Sequence, residues 1–190
     1  MDWIERNWLT IVSVVSPLAI ISGVLGVIRV VLSKKLSPPV LRFEAVRERG
    51  TMPSELFILI RVTSDPLEGL SGTIFKRRDI PRAMVHAQFK YDGSVIYDGI
   101  LETFPDGAQS IGILADGSPY DFLLVSKQQG YAEGYLESGP GYHDKRLPAK
   151  TDILCAISVM EGRHILGQAS CVIHNPDANI ENFKAECLSD

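Results

Sequence analysis

No tryptophan lies beyond residue 8, and only three cysteines occur in 190 residues. So sparse and odd a cysteine set excludes a closed disulfide framework as the basis of the fold. Cys155, Cys171 and Cys187 form no Cys-x-x-Cys, so no zinc-binding pattern is present and no metal site is expected. Basic charge is also short. Lys and Arg number 19 against 23 Asp and Glu, a net charge of −4. A general nucleic-acid binder would carry a basic footprint instead. Gly-x-Ser-x-Gly, His-Glu-x-x-His and Gly-x-x-x-x-Gly-Lys-Ser/Thr are all missing, so no catalytic residue and no cofactor is assigned. The four histidines are scattered, and no Asn-x-Ser/Thr sequon occurs. Charged residues at 22% and a mean hydropathy of +0.09 exclude a disordered chain. The length suits one domain with an accessory segment.

The apolar residues are concentrated near the start. Trp8 to Ile28 is an uncharged run of 21 residues. About 20 such residues cross the roughly 30 Å of bilayer hydrocarbon. Trp3 and Trp8 stand where an interfacial aromatic anchor belongs, and Arg29 can snorkel to the headgroups. A flank over 1–7, a transmembrane helix over 8–32 and a juxtamembrane linker over 33–39 are therefore expected. Asp2 and Glu5 in the flank, and the lack of a small-residue cleavage site, argue against a removed signal peptide. Positive charge is heavier on the C-terminal side, at Arg29, Lys34 and Lys35. The positive-inside rule then puts the N-terminus outside and the main domain in the cytosol. Ser16, Ala19, Ser22, Gly23 and Gly26 make a small-residue face along this helix. Such a face lets two helix backbones approach closely in lipid, so self-association or a partner helix is expected.

Ser37, Pro38 and Pro39 break the helix, and the pattern then changes to strands. Strands are expected at 40–47, 56–63, 84–91, 95–104, 110–115 and 120–125. Asp-Gly pairs at 92–93, 98–99, 106–107 and 116–117 signal tight turns, and the pair inside a run at 98–99 signals a bulge. A three-residue loop over 92–94 sets Phe89 opposite Tyr97 and Val85 opposite Leu101. A loop over 161–163 sets Ile157 opposite Gly167 and Cys155 opposite Ala169. Cys155 and Cys171 then lie diagonally, about 7–8 Å apart, and are expected as free core thiols. A short helix is expected over 176–190, capped by Asn175, with Ile180, Phe183, Cys187 and Leu188 on one side.

An all-β domain over 40–175 follows, expected as a two-sheet sandwich with a small β-barrel as the alternative. In pattern it resembles membrane-anchored immunoglobulin-like or fibronectin-like domains, though the Cys…Trp…Cys signature of the former is missing. Two segments stand out as binding candidates. One is the basic set Lys76, Arg77, Arg78 and Arg82. The other is the Gly/Tyr segment from Gln128 to Leu147, with Tyr131, Tyr135 and Tyr142, whose composition suits either an adaptable recognition loop or a further short strand. The function expected is a binding or assembly module for a protein or small ligand, with the bilayer as the second partner. The alternatives are a membrane-tethered enzyme or nucleotide-responsive effector built from those two segments, and a small subunit of a membrane complex.

Overall fold

The computed structural model describes residues 38–50, 52, 54–67, 77–136 and 146–188, together with Gly23, Val24 and Gly26. The chain divides into two compact units, 1–38 with 67–78, and 39–66 with 79–190. In the first, Gly23, Val24 and Gly26 are helical and exposed. The rest of the expected membrane helix, including Ser16, Ala19 and Ser22, lies outside the described residues. Among the described residues no helix is long and apolar enough to cross a membrane.

The second unit is all-β. Its strands are β1 (Leu41–Arg49), β2 (Glu55–Ser64), β3 (Ile80–Tyr91), β4 (Ser94–Ile100), β5 (Ile111–Ile113), β6 (Pro119–Gln128), β7 (Gly134–Tyr135), β8 (Arg146–Leu147), β9 (Thr151–Glu161), β10 (His164–Asn175) and β11 (Lys184–Leu188). They form two antiparallel sheets. One has the order β1-β2-β6-β7-β8, and the other β11-β10-β9-β3-β4, with β5 also on β3. The alternation read in the sequence decides which side chains meet between them. Ile58, Ile60, Val62 and Phe122 from the first sheet and Val85, Ala87, Phe89, Ile157 and Ile173 from the second are fully or almost fully buried in one core. This is the arrangement of a β-sandwich.

The sheets are also stitched along one side. Leu101 N–H donates to Val85 O at 2.7 Å in the second sheet. Two residues on, Thr103 bridges Phe122 of β6. Phe104 N–H donates to Asp121 O, and Leu123 N–H to Glu102 O, both at 2.8 Å. The chain thus switches sheets over 101–104, which ends β4 short of the expected Phe104 and satisfies the free edge of β6. Phe104 packs on Phe57 of β2, ring centroids 5.4 Å apart.

Several expectations on register are corrected. The β3–β4 hairpin has a two-residue turn, Asp92 and Gly93, both at positive φ (49° and 76°). That geometry matches strand twist and suits Asp-Gly. A bulge that leaves Ile96 unpaired follows, so the net register equals that of a three-residue loop and Phe89 still faces Tyr97. No bulge occurs at Asp98 and Gly99, which pair regularly with Gln88 and Ala87. Gly99 is needed instead because the Tyr97 ring folds over it, within 3.3 Å of where a Cβ would stand. In the last hairpin His164 faces Glu161, and an unpaired Leu166 moves the register by one further step. Cys155 therefore faces Cys171 rather than Ala169.

The expected C-terminal helix is replaced by a 3-10 turn, Ile180–Asn182, and by β11. Asn179 caps the turn, its Oδ1 accepting from Glu181 N–H at 3.0 Å. Strand wins beyond it because Ala185 and Cys187 alternate with exposed Lys184, Glu186 and Leu188, a period of two. The free-thiol expectation is also corrected. Cys171 and Cys187 are joined by a disulfide, and only Cys155 is a free thiol.

Replacing Gly99 by Ala is expected to destabilise the domain by about 1–3 kcal/mol, the usual cost of overpacking. Urea unfolding with an unchanged m-value checks this, and a neutral substitution would remove the close-approach explanation.

Candidate functional site

The densest polar assembly is centred on Lys127, near the end of β6. Its side chain is fully buried and faces inward, paired in register with Leu56. Inward orientation is not what strict alternation dictates. From Phe122, inward positions would continue through Leu124 and Ser126. A bulge that leaves Leu124 unpaired reverses the parity, so Val125 and then Lys127 point into the core.

A buried ammonium is costly unless its donors are met. Here they are. Lys127 Nζ donates to Asn175 Oδ1, to Asp177 O, and to Ala132 O at 3.3 Å. It also lies 5.2 Å from the centroid of the Phe183 ring, within cation–π range. Asn175 is fully buried too, and its Nδ2 donates to Pro148 O at 2.9 Å and Ala132 O at 3.1 Å. Burial holds the Lys127 pKa below its ordinary value, against the pull of the Asp177 carboxylate. Asp177 itself is held low, chiefly by the Asn182 amide at 2.7 Å, then by Asn179 N–H at 2.8 Å, with Lys127 a smaller contributor.

This assembly anchors the near end of the Gly/Tyr segment. Gln129 N–H donates to Ser54 O at 2.7 Å, and Gly130 N–H to Ala178 O at 3.1 Å. Gln129 Oε1 accepts from Ile180 N–H at 3.1 Å. Tyr131 stands out from that base, 56% exposed. Tyr135 is half-buried on β7 and pairs with Ser126 and Arg146. The segment thus contains short strands beside a firmly tied turn, while Tyr142 lies outside the described residues. A shallow open groove next to the assembly is lined by Lys150, Thr151, Asp152 and Pro176.

The basic set is divided between the two units. Lys76 lies outside the described residues. Arg77 donates from Nη1 to Pro38 O at 2.9 Å, and Arg78 is exposed, both within the first unit. Arg82 is exposed on β3, next to Ala83, which pairs with Glu161 at the far end of β9. The Tyr131 loop is tied to Asn175, which pairs with Thr151 at the near end of β9. Ten residue steps at about 3.3 Å each separate those ends. Asp79, which interrupts the basic run, has a local task, accepting from Ala115 N–H at 2.8 Å.

Two histidines each commit a ring nitrogen to a carboxylate on the outer face of the second sheet. His86 Nε2 lies 2.5 Å from Asp98 Oδ1, and His174 Nδ1 lies 2.7 Å from Asp152 Oδ1. Gln88 Nε2 donates to the other Asp98 oxygen at 3.0 Å, and this bond, with His86 adding to it, keeps the Asp98 carboxyl below its usual range. Among the described residues no group of three or more His, Cys, Asp or Glu is placed to hold a metal.

Lys127 and Asn175 escape sequence reasoning. Lys127 falls just beyond the strand expected at 120–125, and Asn175-Pro176 reads as a helix start. The only signal is that an Asn-Pro pair interrupts a run ending in Cys171, Val172 and Ile173.

Truncating Lys127 to Ala is expected to cost about 3 kcal/mol, because buried acceptors on Asn175, Ala132 and Asp177 lose their donor. Lys127→Met, which keeps the volume, should cost less. The pH dependence has a defined sign. With a folded pKa below the unfolded one, the unfolded state binds the extra proton, so stability rises as pH climbs from the folded value towards about 10.5. Denaturant titration across alkaline pH checks this, with the rise missing in Lys127→Met.

Comparison with family models, with curated proteins and with solved structures finds no match to this chain.

Proposed function

We propose that this protein is a single-pass membrane-anchored β-sandwich, immunoglobulin-like in kind, that acts as a binding or assembly module. The observation that carries the reading is the Tyr131 loop. Its base is tied by a buried lysine and a buried asparagine, while the aromatic ring at its tip is open to solvent. A rigid base under an amphipathic ring is a good recognition element, because little conformational entropy is lost on contact. The spacing of Arg82 from Tyr131 favours association over bond chemistry. An enzyme or nucleotide-responsive effector built on those two segments needs them around one cavity.

The uncharged run from Trp8 to Ile28 supports the anchor. On orientation two features pull apart. The flanking Arg29, Lys34 and Lys35 favour a cytosolic domain. The Cys171–Cys187 bond is the chemistry of an oxidising compartment. We adopt the cytosolic placement because charge acts on insertion directly. The small-residue face with Gly23 and Gly26 supports packing against a second copy or a partner helix.

The full-length protein should stay in the membrane pellet through an alkaline carbonate wash, and deletion of residues 8–32 should release it to the supernatant. Release of the full-length chain would overturn the anchor. In sealed inside-out vesicles, added protease should digest the β domain, whereas protection would place it on the opposite side. Tyr131→Ala should leave the melting temperature within about 2 °C, as for a surface change. It should reduce chemically crosslinked adducts in native membranes several-fold. Unchanged adducts would remove this loop as the contact.

A further inference from the structure

Cys155, Cys171 and Cys187 occupy facing positions on three neighbouring strands. Cys155 of β9 faces Cys171 of β10, and Cys171 faces Cys187 of β11. Facing residues share one side of the sheet, and here that side is the core. Cys155 and Cys171 are buried, and Cys187 is half-buried against the same cluster. The three residues thus form a short row across the strands with Cys171 at its centre, its Cα 4.0 Å from that of Cys187. The outer pair on one side of that centre is bonded, and the pair on the other side is a thiol facing a disulfide sulfur.

We infer that this row is an internal thiol–disulfide exchange relay that moves the cross-link between β10–β11 and β9–β10. The step is balanced within the chain. The Cys155 thiolate attacks Cys171 Sγ, a Cys155–Cys171 bond forms, the Cys171–Cys187 bond breaks, and Cys187 leaves as a thiolate that takes up the proton Cys155 gave up. No outside oxidant or reductant takes part. The facing positions put the Cys155 side chain next to Cys171 on the same side of the sheet, where a thiolate can attack the disulfide sulfur.

The sequence spacing makes the two cross-linked states close in chain entropy. Cys171 and Cys187 are separated by 16 residues. Cys155 and Cys171 have the same separation, so each bond closes a loop of equal length. What distinguishes the states is packing. The bond to Cys187 pins β11, a five-residue edge strand. Moving the bond to Cys155 duplicates a hairpin already held by its turn and long ladder, and releases β11 together with a thiol at the sheet edge. Cys187 becomes a site for covalent modification, and the edge of β10 becomes free to pair.

Burial also gates the relay. It pushes the Cys155 thiol up to about 12, so the attacking thiolate is scarce at neutral pH. Cys187, half-buried at the sheet edge, is the more accessible thiol once freed.

The test is continuous alkylation of the full-length protein with iodoacetamide between pH 7 and pH 9, quenched in acid and mapped by mass spectrometry without reduction. The expected product carries the label on Cys187 and a Cys155–Cys171 cross-link. Its rate of formation should rise about tenfold per pH unit, as the thiolate fraction does below a pKa of about 12. The rate should not depend on protein concentration. Hydrogen exchange over 184–188 should quicken in the labelled product. Cys155→Ser and Cys155→Ala should both abolish labelling of Cys187, and two variants guard against one that folds poorly. A label on Cys155 with the Cys171–Cys187 bond intact would overturn the relay. So would no label on either residue at pH 9, or Cys187 labelling that persists in both variants or scales with concentration.

Discussion

One buried positive charge organises this domain. The Lys127 ammonium lies where a β-sandwich would ordinarily place an aliphatic side chain, so everything near it is arranged to supply acceptors. Asn175 sits at the end of β10 with its side chain turned inward, although a strand end is normally solvated. The chain after Asn175 doubles back so that the Asp177 carbonyl reaches the same nitrogen, and this excursion sets up the 3-10 turn and the start of β11. The loop after β6 closes over it with the Ala132 carbonyl. A single donor with three hydrogens thus joins the first sheet, the second sheet and the C-terminal segment. An apolar residue could fill the volume, but it would not select one path for three separate pieces of backbone.

The second organising feature is the bulge. Among the described residues four strand pairs contain one, at Leu124, Ile96 and Leu166 and between Ile80 and Ala83 where β3 meets β5. Each inserts one residue and so reverses which side chains face the core beyond it. At Ile96 the bulge offsets a two-residue turn and the apolar face survives. At Leu166 it advances the pairing and brings Cys155 level with Cys171. At Leu124 it turns Lys127 inward. The polar anchor and the cysteine row are both products of the same small irregularity, repeated in different strands.

The surface follows from how thoroughly the interior and its ends are satisfied. Arg61 and Asp121 hold each other through two bonds of 2.8 and 2.9 Å across β2 and β6. Arg47 and Arg49 of the edge strand β1 reach the C-terminal turn at Ile180 and Glu181. These four charged residues hold edges and corners of the domain. Among the described residues, Tyr131 on its tied loop and the two histidine–carboxylate pairs on the outer face of the second sheet are features that face solvent.

Much of the fold was legible because burial imposes a period of two on a half-buried strand. The runs at 56–63, 84–91 and 120–125 and the presence of a tight turn at Asp92-Gly93 follow from local pattern and turn chemistry. Phe89 faces Tyr97 through a two-residue turn and a bulge at Ile96 that together give the register of the expected three-residue loop. The tail is ambiguous in sequence because Ile180 and Phe183 fit helical spacing as well as they fit a turn followed by a strand, and only the open edge of β10 decides between them. Local pattern determined that this chain makes strands, where most of them lie and which face of each is apolar. The tertiary structure alone decided which cysteine meets which, where the chain changes sheets, and that Lys127 is a core residue. Those outcomes depend on bulges and on acceptors up to 50 residues away in the chain, such as the Asp177 carbonyl. No window of neighbouring residues carries that information.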